Sequence, residues 1–288
     1  MKRNVTIIGA MLLGIAACFA QNTVETAATQ PTDGILLVHY GTQNDDSRRR
    51  TVDRLDSLVA AKYPDCRVVE AYAAPAVIRA LGRRGIRKLT ISEALDSLAS
   101  LGCRKLAVQS TMLLDGVMTD ILDKELAARS GKFDKVNVGR PLLYSVDDCR
   151  NMIGCIERTL TSEGLLANGK NAHVVLVGHG SDSPANAMYS QVDYVAQNEG
   201  HSNWHVGTIE GYPTVETVAS RLASAKAKSV VLVPLLYIAG NHLRDDINGV
   251  WREALESRGY KVGVLKKGLG ETDEIQQMLV ARIAELLK

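Results

Sequence analysis

Val38-His39-Tyr40-Gly41-Thr42 and Val177-Gly178-His179-Gly180-Ser181 lie 139 residues apart, and each closes an apolar run, Ile35-Leu36-Leu37-Val38 in one case and Val174-Val175-Leu176-Val177 in the other. The apolar residues are consecutive rather than alternating, as expected of strands covered on both faces in a parallel sheet. A small-residue turn directly after such a strand is how a βαβ unit begins. The same opening is therefore written twice in the chain.

Outward from these two turns, short apolar runs alternate with amphipathic stretches. The predicted strands are Ile35 to His39, Arg67 to Tyr72, Lys105 to Gln109, Val136 to Val138, His173 to Val177, His205 to Ile209, Val230 to Leu235 and Lys261 to Leu265. Thr90-Ile91-Ser92-Glu93 has the T-x-x-E form of a capping box and marks a helix start ahead of Ala94, Leu95 and Leu98. The repeat also extends further. Leu98-Ala99-Ser100 through Gly116 overlays Leu222-Ala223-Ser224 through Gly240 without a gap, and Pro75 pairs with Pro213 between these blocks. Three matched turns in chain order predict an α/β fold of two similar Rossmann-like lobes, each a mostly parallel sheet flanked by helices. Residues 34–168 form the first lobe and 169–288 the second.

The chain has 288 residues, 46% hydrophobic and 23% charged, which is globular composition and excludes a disordered or polytopic membrane protein. Lys and Arg total 34 against 32 Asp and Glu. Once Lys2 and Arg3 are assigned to a leader the charges balance, so broad nucleic-acid binding has no electrostatic motive. Lys2 and Arg3 precede an apolar stretch from Val5 to Ala17, shorter than the ~20 residues of a spanning helix, and this order predicts a secretory signal over residues 1–20. Two processing patterns are present. Cleavage after Ala20 leaves a soluble periplasmic protein, whereas Ile15-Ala16-Ala17-Cys18 has the form of a bacterial lipobox that would anchor the chain through Cys18. The polar tract 21–33 reads as a tether, and no segment of the mature chain is expected to span a membrane. Cys66, Cys103, Cys149 and Cys155 remain, with no C-x-x-C pair. Export permits disulfides, but Cys66 and Cys103 open predicted strands, where a small buried thiol is the commoner state.

Ligand-binding groups of open α/β sheets collect beyond the carboxyl ends of the strands. There the second half offers His179, Glu210 and His242, while the matched first-half positions hold Tyr40, Tyr72 and Met118. Two imidazoles and a carboxylate suit a borderline divalent ion with coordination positions left open, and the same groups accept protons. His201 and His205 read as loop or edge residues and His173 as a strand opening; none is taken as a ligand.

The turn Val177-Gly178-His179-Gly180 and the runs Ile209-Glu210-Gly211-Tyr212-Pro213 and Pro234 to His242 resemble the anaerobic, CbiK-type sirohydrochlorin cobaltochelatases. The resemblance continues through Tyr40-Gly41-Thr42, Ile78-Arg79-Ala80-Leu81, Gln109-Ser110, Pro141-Leu142-Leu143 and Gly268-Leu269-Gly270-Glu271, and so spans the mature chain. It implies two Rossmann-like lobes with a tetrapyrrole in the cleft, and it puts His179, Glu210 and His242 at the family's metal-binding and catalytic positions. Co²⁺ is the implied metal, with Fe²⁺ or Ni²⁺ as alternatives. The chain departs from the family at Gln109 to Met118, which lacks a His and a Glu that members carry there, and at Asn241, which replaces an acid. Asp246 keeps the next acidic position, one helical turn beyond His242.

The implied activity is insertion of a divalent metal into sirohydrochlorin. No Walker sequence is present, so ATP is not expected. A polycarboxylate substrate suits the basic run Arg79, Arg83, Arg84, Arg87 and Lys88, with Arg79 the preferred binder because it falls in a family-like segment. Tyr40, Tyr72 and Met118 are expected to face the macrocycle from the first lobe without binding metal. The competing expectation is a periplasmic metal- or haem-binding delivery protein without turnover. Whether the chain forms a homo-oligomer is left open by the sequence.

Overall fold

The computed structural model describes residues 33–166 and 172–288, all within one compact unit. The leader, Cys18, nearly all of the tether and the expected lobe boundary at 168/169 lie outside the described residues.

In chain order the first half runs β1 (Gly34–His39), α1 (Asp45–Arg50), α2 (Val52–Lys62), β2 (Arg67–Tyr72), α3 (Pro75–Gly82), α4 (Ile91–Ser100), β3 (Lys105–Ser110), α5 (Val117–Ala128), β4 (Lys135–Val138) and α6 (Val146–Ser162). The second half runs β5 (Ala172–Gly178), α7 (Ala187–Asn198), β6 (Trp204–Thr208), α8 (Val215–Ser224), β7 (Ser229–Pro234), a π-helix (His242–Trp251), α9 (Arg252–Glu256), β8 (Lys261–Val264) and α10 (Asp273–Leu286). The strands form two four-stranded parallel sheets of identical order, β2-β1-β3-β4 and β6-β5-β7-β8. The duplication read from the sequence is thus present in the topology.

Sheet register tests each alignment of the halves. Val38 pairs with Ser110 and Val177 with Pro234, which agrees with the two ungapped blocks. The third pairing is corrected. His39 lies opposite Tyr72 and Gly178 opposite Thr208, so the counterpart of Tyr72 is Thr208 rather than Glu210. Pro75 opens α3 three residues after β2 ends, whereas α8 begins only at Val215, seven residues after β6 ends. The extra length holds Glu210, and the shared proline concealed it.

Local chemistry sets the helix ends. Thr90 and Glu93 form the predicted capping box of α4, the Ser145 hydroxyl and the Asp148 carboxylate cap α6 in the same way, and Pro75 occupies the first turn of α3, where no amide hydrogen is needed.

The halves are separate in sequence but share packing. α6 packs on α7, and its Cys149, Met152, Ile153, Ile156 and Leu160 join Val174, Leu176 and Trp204 of the second lobe in one buried cluster. α10 crosses the other way, onto β3 and α2. The Tyr63 hydroxyl donates to the Val280 carbonyl at 3.0 Å, and Asn137 Nδ2 to the Leu286 carbonyl at 2.6 Å. Arg282 pairs with the buried Asp148 at 2.6 Å. Each fully buried Leu or Ile in this shared cluster contributes about 1.5–3 kcal/mol.

The four described cysteines are free thiols, with Cys103, Cys149 and Cys155 buried. Burial raises the Cys149 and Cys155 thiols to about 11, which leaves them protonated and unreactive. His205 is not an exposed loop residue, although β6 is the outer strand of its sheet. It is buried in β6, its ring stacks on that of His173, and the two rings share a 2.9 Å hydrogen bond. No helix among the described residues is long and apolar enough to cross a membrane.

Candidate functional site

The turn after β5 is built from two glycines around His179. A β-carbon on Gly178 would stand 2.1 Å from the ring of Tyr189, so α7 packs directly beneath the turn, and the Tyr189 hydroxyl accepts from the Gly180 amide at 3.3 Å. Gly180 has φ +93°, where only glycine is unstrained, and Glu210 sits against it. The Ile209 amide donates to the Gly178 carbonyl at 2.9 Å and the Glu210 amide to the His179 carbonyl at 2.7 Å. The backbones of His179 and Glu210 are thereby fixed to each other.

His242 opens the π-helix after β7. Its imidazole lies edge to face with that of His179, ring centroids 5.0 Å apart and planes at 88°. His242 Nδ1 is 2.8 Å from the Asp246 carboxylate and His179 Nδ1 is 3.0 Å from the Gly180 carbonyl. Both partners are acceptors, so each Nδ1 is the donor, and in the neutral imidazole the lone pair is left on Nε2. Ligating histidines are held by this kind of outer contact.

The two imidazoles line a cavity of about 540 Å³ between the lobes. Tyr40, Thr111, Met112 and Met118 face it from the first lobe, and Ser181, Tyr189 and Tyr237 from the second. Met112 and Met118 stand in the segment that lacks the expected His and Glu, so this wall is apolar.

Of the eight residues singled out in the sequence, Tyr40, Met118, His179 and His242 line this cavity and Asp246 supports it through His242. The other three are placed differently. Glu210 is exposed on its turn, and its carboxylate does not form a three-ligand cluster within 4.8 Å with the imidazoles. Tyr72 is 1% exposed and lies beneath Gly41, whose β-carbon would stand 2.3 Å from the Tyr72 ring. It packs under the wall rather than forming its surface, a consequence of the corrected register. Arg79 is exposed on α3, two residues after the cavity-lining Val77, and is not itself a lining residue.

The basic run is only partly available. Arg84 pairs with Asp45 and Lys88 with Glu70, acids that the local sequence does not place beside them, and Arg87 approaches the nearby Glu93 at 3.9 Å. Among the described residues Arg79 and Arg83 make no ion pair.

Tyr237 is a cavity residue that sequence reasoning missed. Its hydroxyl is buried without a hydrogen-bond partner, and burial drives its pKa far above the usual phenol range. The signal was present in Gly268-Leu269-Gly270. A β-carbon on Gly270 would stand 2.8 Å from the Tyr237 ring, and one on Gly268 2.9 Å from the Tyr237 carbonyl oxygen.

Comparison with solved structures defines the class. SirB from Bacillus subtilis, solved with Fe³⁺, is similar with a TM-score of 0.66 at 16% identity, covering 88% of this chain and 95% of that one. CbiX, described as the terminal enzyme of sirohaem biosynthesis in denitrifying bacteria, gives 0.56 over 88% of this chain and 98% of that one, at 16% identity. The fold is therefore the two-lobed chelatase fold. Sequence then narrows the class: the family described as "Cobalt chelatase (CbiK)" matches residues 33–288, and the chain belongs to it. A sirohydrochlorin cobaltochelatase of Salmonella typhimurium is 27% identical over 258 residues, 88% of this chain and 96% of that protein. Sirohydrochlorin cobaltochelatase CbiKC of Nitratidesulfovibrio vulgaris is 25% identical over 244 residues, 83% of this chain and 84% of its own.

Proposed function

We propose that this protein inserts a divalent metal, Co²⁺ in the first instance, into sirohydrochlorin without ATP. The observation that carries the reading is the perpendicular His179/His242 pair, with each Nδ1 engaged and each Nε2 free at the edge of a cavity between two chelatase lobes. Neutral imidazoles hold a borderline cation without the grip of thiolates, which suits an ion that must be handed on. Insertion exchanges one M²⁺ for the two pyrrole N–H protons. Glu210, exposed and bound through its amide to the His179 carbonyl, supplies negative charge for the cation and, together with an imidazole of the pair, takes up those protons. Tyr40 and Met118 bear on the face of the macrocycle, and Arg79 and Arg83 are the unpaired guanidiniums available to its carboxylates.

The test is to incubate the purified protein with sirohydrochlorin and Co²⁺, Fe²⁺ or Ni²⁺ and follow macrocycle absorbance against an uncatalysed control. Acceleration that is lost in Arg79→Ala/Arg83→Ala only at low substrate supports both the activity and the carboxylate contact. Metal or haem binding without acceleration would favour the delivery-protein alternative.

The leader motivates a further part of the reading, that the chemistry takes place in the bacterial envelope. Fractionation and mass spectrometry of the mature N-terminus test it, distinguishing a cut after Ala20 from a lipidated Cys18. An unprocessed cytoplasmic protein would defeat it.

A further inference from the structure

The first lobe holds a cluster of ligand-type side chains that metal insertion at His179 and His242 does not use. His39 ends β1, Asp56 lies within α2 and Glu70 lies in β2, and one ligand atom from each falls within 4.8 Å of the others. Among the described residues this is the group of three His, Cys, Asp or Glu side chains that meets that spacing.

Three features make it more than an accidental meeting of charges. The first is the tethering of His39, which is fully buried: Nδ1 lies 3.1 Å from Thr111 Oγ1 and Nε2 lies 3.0 Å from Asp56 Oδ1. Nε2–H donates to Asp56 in the ion-free protein; once the proton is moved to Nδ1 and donated to Thr111, whose own hydroxyl reaches the Val38 carbonyl at 3.4 Å, Nε2 turns a lone pair toward the carboxylates. The second is that Glu70 Oε2 is buried with no hydrogen-bond partner, because Lys88 engages only Oε1. An unpaired buried carboxylate oxygen is costly unless a cation or proton meets it. Burial, with Asp56 adding to it, holds the Glu70 carboxyl above its ordinary range against the opposing effect of Lys88. The third is access. β2 is the outer strand of its sheet, and the Asp56 and Glu70 side chains are 22% and 28% exposed there, so an ion has a route in from solvent.

We propose that His39, Asp56 and Glu70 form a second divalent-cation site, separate from the His179/His242 pair, for a borderline ion such as Zn²⁺ or Co²⁺. One imidazole and two carboxylates leave positions for water, and with Lys88 present the cluster still carries one negative charge in excess. In the ion-free protein the imidazole proton sits on Nε2 and is donated to Asp56; on binding it moves to Nδ1, and any proton held by Glu70 is released to solvent. The ion joins β1, α2 and β2. Thr111, which steadies His39, also lines the cavity, so the same ion stiffens the first-lobe wall.

The experiment uses the full chain and CoCl₂ or ZnCl₂ alone, with stoichiometry from equilibrium dialysis and metal analysis and with thermal melting as a second readout. Wild type is expected to bind two ions and His179→Ala/His242→Ala one. Asp56→Asn/Glu70→Gln in the wild-type background also retains one, and its loss is accompanied by loss of the metal-dependent rise in melting temperature that persists in the double-histidine variant. Should both variants together fail to fold, the two single-site counts decide. Unchanged stoichiometry in Asp56→Asn/Glu70→Gln, or no ion bound by His179→Ala/His242→Ala, would overturn the proposal. A wild-type count unchanged by His179→Ala/His242→Ala would instead count against the metal site of the chelatase reading, which keeps the two failures distinct.

Discussion

The carbonyl oxygen of Glu210 lies 1.4 Å from the point where a β-carbon on Gly180 would stand, and the Glu210 amide donates to the carbonyl of His179. One strand-end turn is thereby pressed against another, and the position of His179 depends on the absence of a single side chain. Gly180→Ala is expected to force the β5 and β6 turns apart and to lower metal insertion at least tenfold. The left-handed conformation alone adds about 1–2 kcal/mol of strain. Gly259→Ala separates the two effects, since Gly259 has φ +87° with nothing within 4 Å of an added β-carbon. It should lose stability by strain while keeping full activity, as read by thermal melting and steady-state rates.

His179→Ala and His242→Ala should each reduce insertion a hundredfold or more with little change in melting temperature, because neither ring belongs to the buried clusters. Asp246→Asn should cost roughly tenfold by loosening the Nδ1 contact of His242. Glu210→Gln should cost less than either histidine, since its carboxylate is exposed and does not complete a three-ligand cluster within 4.8 Å with the imidazoles. Equal losses of activity and stability in the histidine variants would indicate a structural role instead.

Tyr72 and Tyr40 should behave oppositely. The Tyr72 hydroxyl is buried without a partner, so Tyr72→Phe should leave KM unchanged and raise stability by about 1 kcal/mol. Tyr40 is 51% exposed on the cavity wall, and Tyr40→Ala should raise KM several-fold with little effect on folding. A KM effect at Tyr72 would contradict its placement under Gly41.

Acid stability should depend on His205, whose pKa burial pushes down from 6.5 to about 4, with Arg221 and His173 adding to the effect. Between those values the unfolded state binds the proton and the folded state does not, so stability rises with pH across that window. The contribution is fully present above pH 6.5 and is lost as pH falls toward 4, an effect of up to about 3 kcal/mol. His205→Gln should flatten this part of the stability profile in urea melts at stepped pH. A profile unchanged by the substitution would place the acid sensitivity elsewhere.

The strands, the α4 capping box and the duplicated unit were legible in the sequence because they rest on local causes: continuous apolar runs for strands covered on both faces, and Thr90 facing Glu93 across one helical turn. The meeting of His179 and His242 in one lobe was legible for a related reason, since a repeat fixes which strand ends lie side by side. Register was not. Pro75 and Pro213 look equivalent along the chain, yet hydrogen bonding matches Tyr72 with Thr208, and this one correction moves Tyr72 beneath the cavity wall and gives Glu210 a turn of its own. Nor could sequence show that α6 and α10 each pack across the boundary between halves, that Asp45 and Glu70 occupy two of the basic residues, or that His39, Asp56 and Glu70 converge. Backbone propensity and hydrophobic period act over a few residues and can be read in order. Side-chain partners far apart in the chain are chosen by how strands align and helices dock, and only the folded molecule decides that.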